Sequence, residues 1–178
     1  MDVRDASRLI APGVSGRVWA DLGAGRGTFT MALATLLGTA GQVYALERDA
    51  GAIDALERMA KRRDRDERAR IEVVRGDFTT TPLPLPDCDG ILMANSLHYV
   101  PDAEQAPLLG RLATTLGEHG VLLVVEYDNR PRSRWVPFPV SFDRLAAVAR
   151  DAALSAPALV GRRGSAFGGT MYAALLRR

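Results

Sequence analysis

The sequence predicts a doubly wound α/β domain with a mostly parallel, seven-stranded sheet and helices on both faces. Short, continuously apolar runs alternate with helical segments of about 10–15 residues, which is typical of parallel strands that are buried on both sides. The last two strand-like runs are joined by a glycine-rich connection that is too short for a helical crossover, so the last strand is predicted to be antiparallel. Ligands of such a sheet bind beyond the carboxyl ends of its strands.

The first half of the chain supplies three strands and two helices. Phe29, Leu33 and Leu37 recur at helical spacing over 28–37, and Gly38 then ends this helix. The second helix places its apolar residues on one face in the same way. Its predicted range is 50–65, and the predicted strands are 17–22, 42–47 and 71–75.

The second half continues the alternation and then changes character. A turn over 117–120, which contains His119, separates a helix from the strand after it, and we expect this histidine to be solvated. The segment 128–141 has three prolines and no periodicity, which indicates a loop. The predicted elements are, in order, a strand over 88–94, a helix over 102–116, a strand over 121–127, a short helix from Phe142, and strands over 159–163 and 170–176.

The length and composition of the chain are typical of a single folded globular domain. The length of 178 residues predicts a single domain over 1–178, in which 1–16 is a short N-terminal extension. A hydrophobic fraction of 47% with 25% charged residues excludes global disorder. No apolar run is long enough for a membrane span and no signal-peptide core is visible, so we expect a cytoplasmic protein that does not enter the membrane. The single cysteine, Cys88, excludes an internal disulfide and a multi-cysteine zinc site, and no metal is predicted.

The charge pattern does not indicate a nucleic-acid surface. The net charge is only +2, and the densest basic run, over 58–70, interleaves arginines with aspartate and glutamate. Mixed signs of this kind are typical of a solvated helix face, whereas nucleic-acid binding needs basic residues clustered without acidic neighbours.

The strongest motif joins the first strand to the first helix and reads Asp21-Leu22-Gly23-Ala24-Gly25-Arg26-Gly27. Alternating glycines let the backbone adopt positive φ and approach a ligand closely, and the helix start behind them presents unpaired N–H groups. The dinucleotide fingerprint G-x-G-x-x-G needs its third glycine where this chain has Thr28. The acidic Asp21 also suits a cationic ligand better than a pyrophosphate.

This D-x-G-x-G-x-G spacing resembles the first motif of the class I, Rossmann-like S-adenosylmethionine-dependent methyltransferases. The resemblance implies S-adenosylmethionine as cofactor and S-adenosylhomocysteine as product. In that family the acidic residue and the glycine loop hold the methionine end of the cofactor. The resemblance therefore implies that Asp21 lies near the ammonium group, directly or through water, and that the loop backbone contacts the cofactor at Gly23, Ala24, Gly25 and Gly27.

Further matches follow at the ends of the next strands. Glu47 ends the second strand, where a carboxylate can accept both ribose hydroxyls, and Arg48 is its neighbour. Gly76-Asp77-Phe78 follows the third strand and resembles the segment of the family that contacts adenine, with Asp77 accepting from the amino group and Phe78 supplying its backbone N–H or its ring. Asn95 follows the fourth strand and would contact the methionine moiety. The resemblance covers roughly residues 17–127.

Two residues after the fourth strand are candidates for catalysis and for acceptor binding. His98 lies where a base can reach an acceptor, and an imidazole can take a proton at neutral pH; Tyr99 would form part of the same wall. The alternative reading of both is that they only line a pocket. Asn95 is followed by Ser96 instead of proline, which disfavours amino-methylation of nucleic-acid bases, and Cys88 lies at the wrong end of its strand to be a nucleophile.

The loop over 128–141 is the predicted acceptor loop. Arg130, Arg134 and Trp135 offer charge and aromatic surface to an anionic or planar acceptor, although the alternative is a solvated irregular connection. The short extension before the first strand leaves three possibilities for the acceptor side: an open site, a cover supplied by a second subunit in a homodimer, or a large acceptor.

A small-molecule acceptor is the preferred prediction, and two alternatives remain. An RNA or protein methyltransferase would show a continuous basic surface beside the crevice and a steep salt dependence of acceptor binding. A non-catalytic S-adenosylmethionine-binding accessory protein would bind the cofactor without turnover and expose an apolar patch for its partner.

Overall fold

The structure is a computed structural model that describes residues 1–61, 67–80, 82–165 and 168–178. Helices and strands alternate along most of the chain, as the sequence predicts. Among the described residues, none of the helices is both long and apolar enough to cross a membrane. The elements are α1 Val3–Ile10, β1 Val18–Leu22, α2 Thr28–Leu37, β2 Gln42–Glu47, α3 Ala50–Ala60, β3 Arg70–Arg75, β4 Cys88–Ala94, α4 Asp102–Thr114, β5 Leu116–Tyr127, α5 Phe142–Asp151, β6 Ala158–Gly164 and β7 Thr170–Leu176.

All seven strands form one sheet in the order β3-β2-β1-β4-β5-β7-β6. The pairs among β1 to β5 are parallel, whereas β7 runs antiparallel to both β5 and β6. The predicted fold class, including the antiparallel last strand, is confirmed. Because the chain turns from β3 back to the other side of β1, the carboxyl ends of β1 and β4 border a crevice in which a ligand can lie.

Helices cover both faces of the sheet. One face carries α1 and α2, and its core includes Trp19 and Leu33, which are fully buried. The opposite face carries α4 and α5, and its core includes Leu109 and Tyr172. This arrangement explains why the central strands are apolar throughout: side chains on both sides of the pleat are removed from water.

The N-terminal segment is helical, which the sequence analysis did not predict. Asp2 caps α1 because its carboxylate accepts from the backbone N–H of Asp5 at 2.8 Å. Ala6, Leu9 and Ile10 are buried against the sheet face that also carries α2. The signal was present in the sequence, since an N-cap aspartate precedes apolar residues at helical spacing.

The second predicted helix is too long. It ends at Ala60 instead of 65, and residues 62–66 lie outside the described residues. The prediction of a solvated mixed-charge face holds for Arg58, which is exposed, but is wrong for Arg68. Arg68 is buried and donates from its guanidinium to the backbone oxygen of Met59 at 3.3 Å.

Strand β5 begins earlier than predicted. Leu116 pairs with Cys88 and Val121 pairs with Gly90, so the residues between them form an irregular part of the strand instead of a turn. A β-bulge accommodates extra residues on one strand in this way. His119 lies in this part of β5 and is exposed, as expected.

Gly90→Ala is expected to destabilise the fold by about 2–3 kcal/mol, because a new methyl group in a packed core forces its neighbours to shift. A Cβ at Gly90 would overlap the indole of Trp19 on the adjacent strand. Gly117→Ala is the matched control, since a Cβ there meets no atom within 4 Å. Urea denaturation of both variants measures the difference, and equal midpoints would contradict the packing of Trp19 on β4.

Candidate active site

The glycine loop after β1 is held against the neighbouring strand ends. The N–H groups of Gly23 and Ala24 both donate to the backbone oxygen of Leu46, at 2.9 and 3.1 Å. Gly23 has a φ of 76°, and a Cβ there would lie 2.8 Å from the Cβ of Ser96. The loop therefore needs glycine at this position both for its conformation and for its close approach to the segment after β4.

Gly25 and Gly27 serve different purposes in the loop. Gly25 has a φ of 54°, and a Cβ there would meet no atom within 4 Å, because it would project into open space. Gly27 precedes α2, and a Cβ there would lie within 2.8 Å of the side chains of Leu56 and Met59. Gly25 thus keeps a cavity open, whereas Gly27 lets α3 pack on the loop.

That open space is a cavity of about 480 Å³, which we call the glycine-loop cavity. It lies beyond the carboxyl ends of β1 to β4, as expected for this class of sheet. Of the predicted cofactor-binding residues, the described lining includes Gly23, Ala24, Gly25, Glu47, Arg48, Asp77, Phe78 and Asn95. Asp21 and Gly27 are not part of this lining.

Glu47 fixes the loop from the end of β2. One carboxylate oxygen accepts from the N–H of Gly25 at 2.8 Å, and the other accepts from the N–H groups of Arg48 and Asp49 at 2.8 and 2.9 Å. These three charge-assisted hydrogen bonds orient the carboxylate at the edge of the glycine-loop cavity. The same side chain thus shapes the loop and presents acceptor oxygens to a ligand.

Asp77 lies across the cavity in a network of its own. Its carboxylate accepts from the backbone N–H and the hydroxyl of Thr79, at 2.9 and 2.7 Å, and pairs with the guanidinium of Arg48 at 2.8 Å. Partial burial by itself raises the pKa of Asp77, but these hydrogen bonds and the positive charge of Arg48 outweigh it and hold the pKa below its usual range. Asp77 is therefore an ionised acceptor at neutral pH.

Asp21 is buried beneath the glycine loop. It is 1% exposed, and its carboxylate accepts from the hydroxyl of Thr30 at 2.7 Å. Burial raises the pKa of Asp21 to about 7, an effect that the hydrogen bond from Thr30 opposes and the charge of Glu47 reinforces. Asp21 is not among the residues that line the glycine-loop cavity, and its place near the ammonium group, directly or through water, stays a prediction.

Asp21→Asn is expected to become more stable relative to the parent protein as the pH rises. A carboxyl whose pKa is raised on folding binds more protons in the native state, so its contribution to stability is lost as the pH rises from about 4 to 7. Asparagine does not titrate, so the difference in unfolding free energy should change by about 3–4 kcal/mol over this window. Urea titrations at pH 4 and pH 7 measure it, and a pH-independent difference would mean that water reaches Asp21.

A second cavity, of about 370 Å³, adjoins the first and contains His98; we call it the histidine cavity. His98 is only 2% exposed, and its Nδ1 lies 2.7 Å from the carboxylate of the fully buried Glu126. The backbone N–H of His98 donates to the other oxygen of that carboxylate at 3.1 Å. Because an ionised carboxylate only accepts, Nδ1 carries the proton, and in the neutral ring Nε2 is left as a proton acceptor.

Asn95 and Tyr99 line both cavities and so form the boundary between them. Asn95 has a φ of 55°, in the left-handed region that is uncommon outside glycine, and its side-chain oxygen is buried without a partner among the described residues. The hydroxyl oxygen of Ser96, at the glycine-loop cavity, is buried and unpartnered in the same way. Tyr99 is 49% exposed, and its ring lies 4.5 Å from that of His98.

The acceptor loop over 128–141 is anchored to the fold and contains structure of its own. The backbone N–H of Asp128 donates to Thr170 at 2.8 Å, and its side chain accepts from the N–H of Phe142 at 2.9 Å. The N–H of Phe138 donates to the backbone oxygen of His98 at 3.0 Å, which ties the loop to the histidine cavity. The segment contains an isolated bridge between Ser133 and Val136 but no helix or strand, and Val136 is buried.

The loop contributes three side chains to the histidine cavity. Arg130 lies over the ring of Tyr127 at 4.7 Å, and both residues line the cavity together with Trp135, which is 63% exposed, and Val136. Arg134 is not part of the described lining of this cavity. Its guanidinium lies over the ring of Trp135, 4.4 Å from the ring centroid. Its predicted contact with an acceptor therefore stays a prediction.

Glu126 is the functional candidate that the sequence analysis missed. It is the one acidic residue in the apolar part of β5 and lies near the carboxyl end of that strand, where ligands bind. A glutamate at the end of an otherwise apolar buried strand indicates a partner in the folded protein, because an unpaired carboxylate is costly to bury. In the described part of the chain, no group of three or more His, Cys, Asp or Glu side chains is arranged to hold a metal ion.

Comparison with known proteins places this geometry among methyltransferases. A family model described as a methyltransferase domain matches residues 20–120, which is more than half of the chain. No curated protein sequence matches the chain. The matched residues include the glycine loop and the strand ends that form the glycine-loop cavity.

Solved structures share the fold at low identity. The mitomycin 7-O-methyltransferase MmcR is 23% identical with a TM-score of 0.73, over 99% of this chain and 53% of its own. The CcbJ methyltransferase from Streptomyces caelestis is 17% identical, with a TM-score of 0.73. The match covers 99% of this chain and 94% of CcbJ. The O-methyltransferase NcsB1 from neocarzinostatin biosynthesis is 23% identical, with a TM-score of 0.70. The match covers 97% of this chain and 51% of NcsB1, whose structure is a complex with S-adenosylmethionine and 2-hydroxy-5-methyl naphthoic acid. The chain spans about half the length of the first and third proteins.

Proposed function

Because the chain belongs to the methyltransferase-domain family and has the class I fold, we propose that it transfers the methyl group of S-adenosylmethionine to a small-molecule acceptor. The family assignment suggested by the glycine motif is confirmed. The observation that carries the proposed activity is the junction of two cavities: a glycine-loop cavity and a cavity with a buried His–Glu pair meet at Asn95 and Tyr99.

The glycine-loop cavity fits this cofactor in its donor set. The carboxylates of Glu47 and Asp77 offer acceptors to the ribose hydroxyls and the adenine amino group, and the half-buried ring of Phe78 offers a flat apolar wall. The buried oxygens of Asn95 and Ser96 are without partners among the described residues, so a polar ligand would satisfy both. Asp21, which accepts from Thr30 beneath the loop, would lie near the ammonium group of the cofactor, directly or through water.

The residues of the histidine cavity are arranged to remove a proton from an acceptor, next to the junction of the two cavities where the methyl group would be transferred. S-adenosylmethionine supplies a methyl group on a sulfonium, and a nucleophile in line with that methyl is the main requirement. Glu126 holds the imidazole of His98 with Nδ1 protonated, so Nε2 could take the proton that an acceptor hydroxyl loses on methylation. His98 is therefore the proposed catalytic base, and Glu126 is its positioning residue.

The acceptor class follows from the walls of the histidine cavity. Tyr99, Tyr127 and Trp135 present aromatic surface, and Arg130 adds a positive charge. Aromatic rings stack on one another, and an arginine pairs with a carboxylate. We therefore propose a planar aromatic acceptor that carries a hydroxyl and an acidic group. The naphthoic acid bound to the similar NcsB1 supports this choice.

Calorimetry with S-adenosylmethionine, S-adenosylhomocysteine and NAD tests the cofactor. We expect micromolar binding of the first two and none of NAD, and a preference for NAD would contradict the proposal. Incubation with S-adenosylmethionine and a panel of hydroxyaryl carboxylates then tests the acceptor, with S-adenosylhomocysteine release and the product mass as readouts. Turnover on RNA or protein with steep salt dependence would favour those acceptors instead, and binding without any turnover would favour an accessory role.

A homodimer stays a prediction of the sequence analysis. The exposed rings of Tyr99 and Trp135 at the mouth of the histidine cavity are apolar surface that a second copy could cover. Analytical ultracentrifugation of the full chain over a range of concentrations measures the oligomeric state, and a monomer throughout would contradict the prediction.

A further inference from the structure

The segment 77–79 carries two of the groups that would contact the adenine base in the glycine-loop cavity. Asp77 presents its carboxylate and Phe78 its ring, and Thr79 lines the same cavity. The segment follows β3, which lies at the edge of the sheet and pairs only with β2 among the described strands. It belongs to no described helix or strand, so its position depends on the hydrogen bonds of its own residues.

Arg111 of α4 holds this segment from outside the cavity. One nitrogen of its guanidinium, Nη2, donates to the main-chain oxygens of Phe78 and Thr79, at 3.2 and 3.0 Å. Within the described part of the chain, these two oxygens accept from no other donor. Arg111 itself is not in the described lining of the glycine-loop cavity or the histidine cavity, so it can act on a ligand only through the segment.

The contact with Thr79 extends to the carboxylate of Asp77. The N–H and the hydroxyl of Thr79 donate to Oδ1 of Asp77 at 2.9 and 2.7 Å, and Arg48 donates to Oδ2 at 2.8 Å. An ionised carboxylate has about four acceptor positions, so about one position, on Oδ2, remains for a ligand. A displacement of Thr79 would turn that position away from the ligand.

The contact with Phe78 extends to the glycine loop. A Cβ at Gly23 would lie 3.2 Å from Cε1 of Phe78, so the edge of this ring lies against the backbone of the loop. The main-chain oxygen that Arg111 holds belongs to the same residue. A single guanidinium nitrogen therefore fixes both the carboxylate and the ring that the base would meet.

The packing of Arg111 supports a role other than stability. Its Nε is buried and has no partner among the described residues. Because an unpartnered buried donor costs stability, an arginine is not the most stable choice for this place on α4. The two main-chain oxygens that it holds are the better explanation for its presence.

We propose that Arg111 is a positioning residue for recognition of the base: by holding Phe78 and Thr79, it keeps the ring of Phe78 and the free acceptor of Asp77 in place. This inference rests on the proposed function, because the base belongs to S-adenosylmethionine. Arg111 contacts neither the cofactor nor the reacting atoms. Its effect therefore falls on the affinity for the base, and the transfer step is left unchanged.

Arg111→Gln with a matched pair of ligands tests the proposal. The ligands are S-adenosylhomocysteine and its 6-deamino analogue, in which a hydrogen replaces the adenine amino group. The parent protein should prefer the first about tenfold, the usual value of a hydrogen bond to a charged acceptor. In the variant this preference should fall to about threefold or less, because the two changes remove the same contact. Calorimetry measures both affinities.

Two further substitutions at the same position separate positioning from folding. Arg111→Met removes the two contacts and also the unpartnered Nε, and a flexible apolar side chain is tolerated there, so the test remains if the glutamine variant does not fold. It should lose the preference as Arg111→Gln does. Arg111→Lys should restore part of the preference, because an ammonium group can donate to both oxygens. Thermal unfolding checks that each variant is folded.

Arg144→Gln is the matched control. Arg144 of α5 is also half-buried and also donates to a main-chain oxygen, that of Asp102 at 2.9 Å, but it is not in the described lining of either cavity. This variant should keep the preference of the parent protein for the amino-bearing ligand. A loss of preference here equal to that of Arg111→Gln would show a general loosening of the fold, which contradicts the proposal.

The remaining outcomes decide between the two levels of inference. The proposal is overturned if the parent protein does not prefer the amino-bearing ligand, or if folded Arg111→Gln or Arg111→Met keeps the full preference. It is also overturned if either variant slows single-turnover methyl transfer more than about threefold at saturating cofactor, since a positioning residue for the base changes affinity and not the transfer step. Failure of the parent protein to bind S-adenosylhomocysteine would instead overturn the proposed function.

Discussion

Gly25→Val is expected to lower the affinity for S-adenosylmethionine by at least about 100-fold, which corresponds to about 2.7 kcal/mol, while the domain remains folded. A Cβ at Gly25 has no protein atom within 4 Å because it projects into the glycine-loop cavity, so the valine methyls take the volume of the ligand. The φ of 54° adds strain of about 1–2 kcal/mol, which is less than the 5–15 kcal/mol by which domains are usually stable. Calorimetric titration measures the affinity.

Gly38→Val is the matched control for this experiment. Gly38 ends α2 with a φ of 63°, and a Cβ there also meets no atom within 4 Å, but it lines none of the described cavities. The control therefore also places a valine at a positive φ, but without filling the site. If the two variants bind S-adenosylmethionine equally well, the glycine loop does not hold the cofactor.

His98→Gln is expected to slow methyl transfer by about 10²- to 10⁴-fold, which is the usual contribution of a positioned general base. Affinity for S-adenosylmethionine should stay within about threefold of the parent protein, because His98 lines the histidine cavity and not the glycine-loop cavity. The readout is single-turnover formation of S-adenosylhomocysteine on the acceptor found in the hydroxyaryl carboxylate screen. His119→Gln, at the other histidine of the chain, should leave the rate unchanged.

Glu126→Gln should also slow the reaction, since an amide does not stabilise the charge that the imidazole gains with the proton. Residues that act as a unit are not additive, so the double variant of His98 and Glu126 should be no slower than the slower single variant. Removing one partner of a buried pair costs stability, and thermal unfolding of each variant separates that effect from the rate. Additive losses would contradict the pairing.

Local patterns in the sequence were sufficient for the order of the elements. The periodicity of Phe29 and Leu33 gave the limits of α2, and the continuous apolar run of β4 gave a buried parallel strand, because each pattern reports which faces of one segment are buried. The glycine loop was equally visible, since positive φ and close approach restrict residue type within a few positions. Errors occurred where the pattern was weak, as at the end of α3 and the start of β5.

The chain's sequence by itself determined the fold class, the glycine loop and its family. Only the tertiary structure decided which side chains act together. His98 and Glu126 are 28 residues apart and meet because β4 and β5 are neighbours in the sheet. Likewise, the glycine-loop cavity and the histidine cavity meet at Asn95 because strand ends and loops distant in sequence surround it. Such contacts depend on how elements pack, and the spacing of residues along one segment carries no information about its neighbours in space.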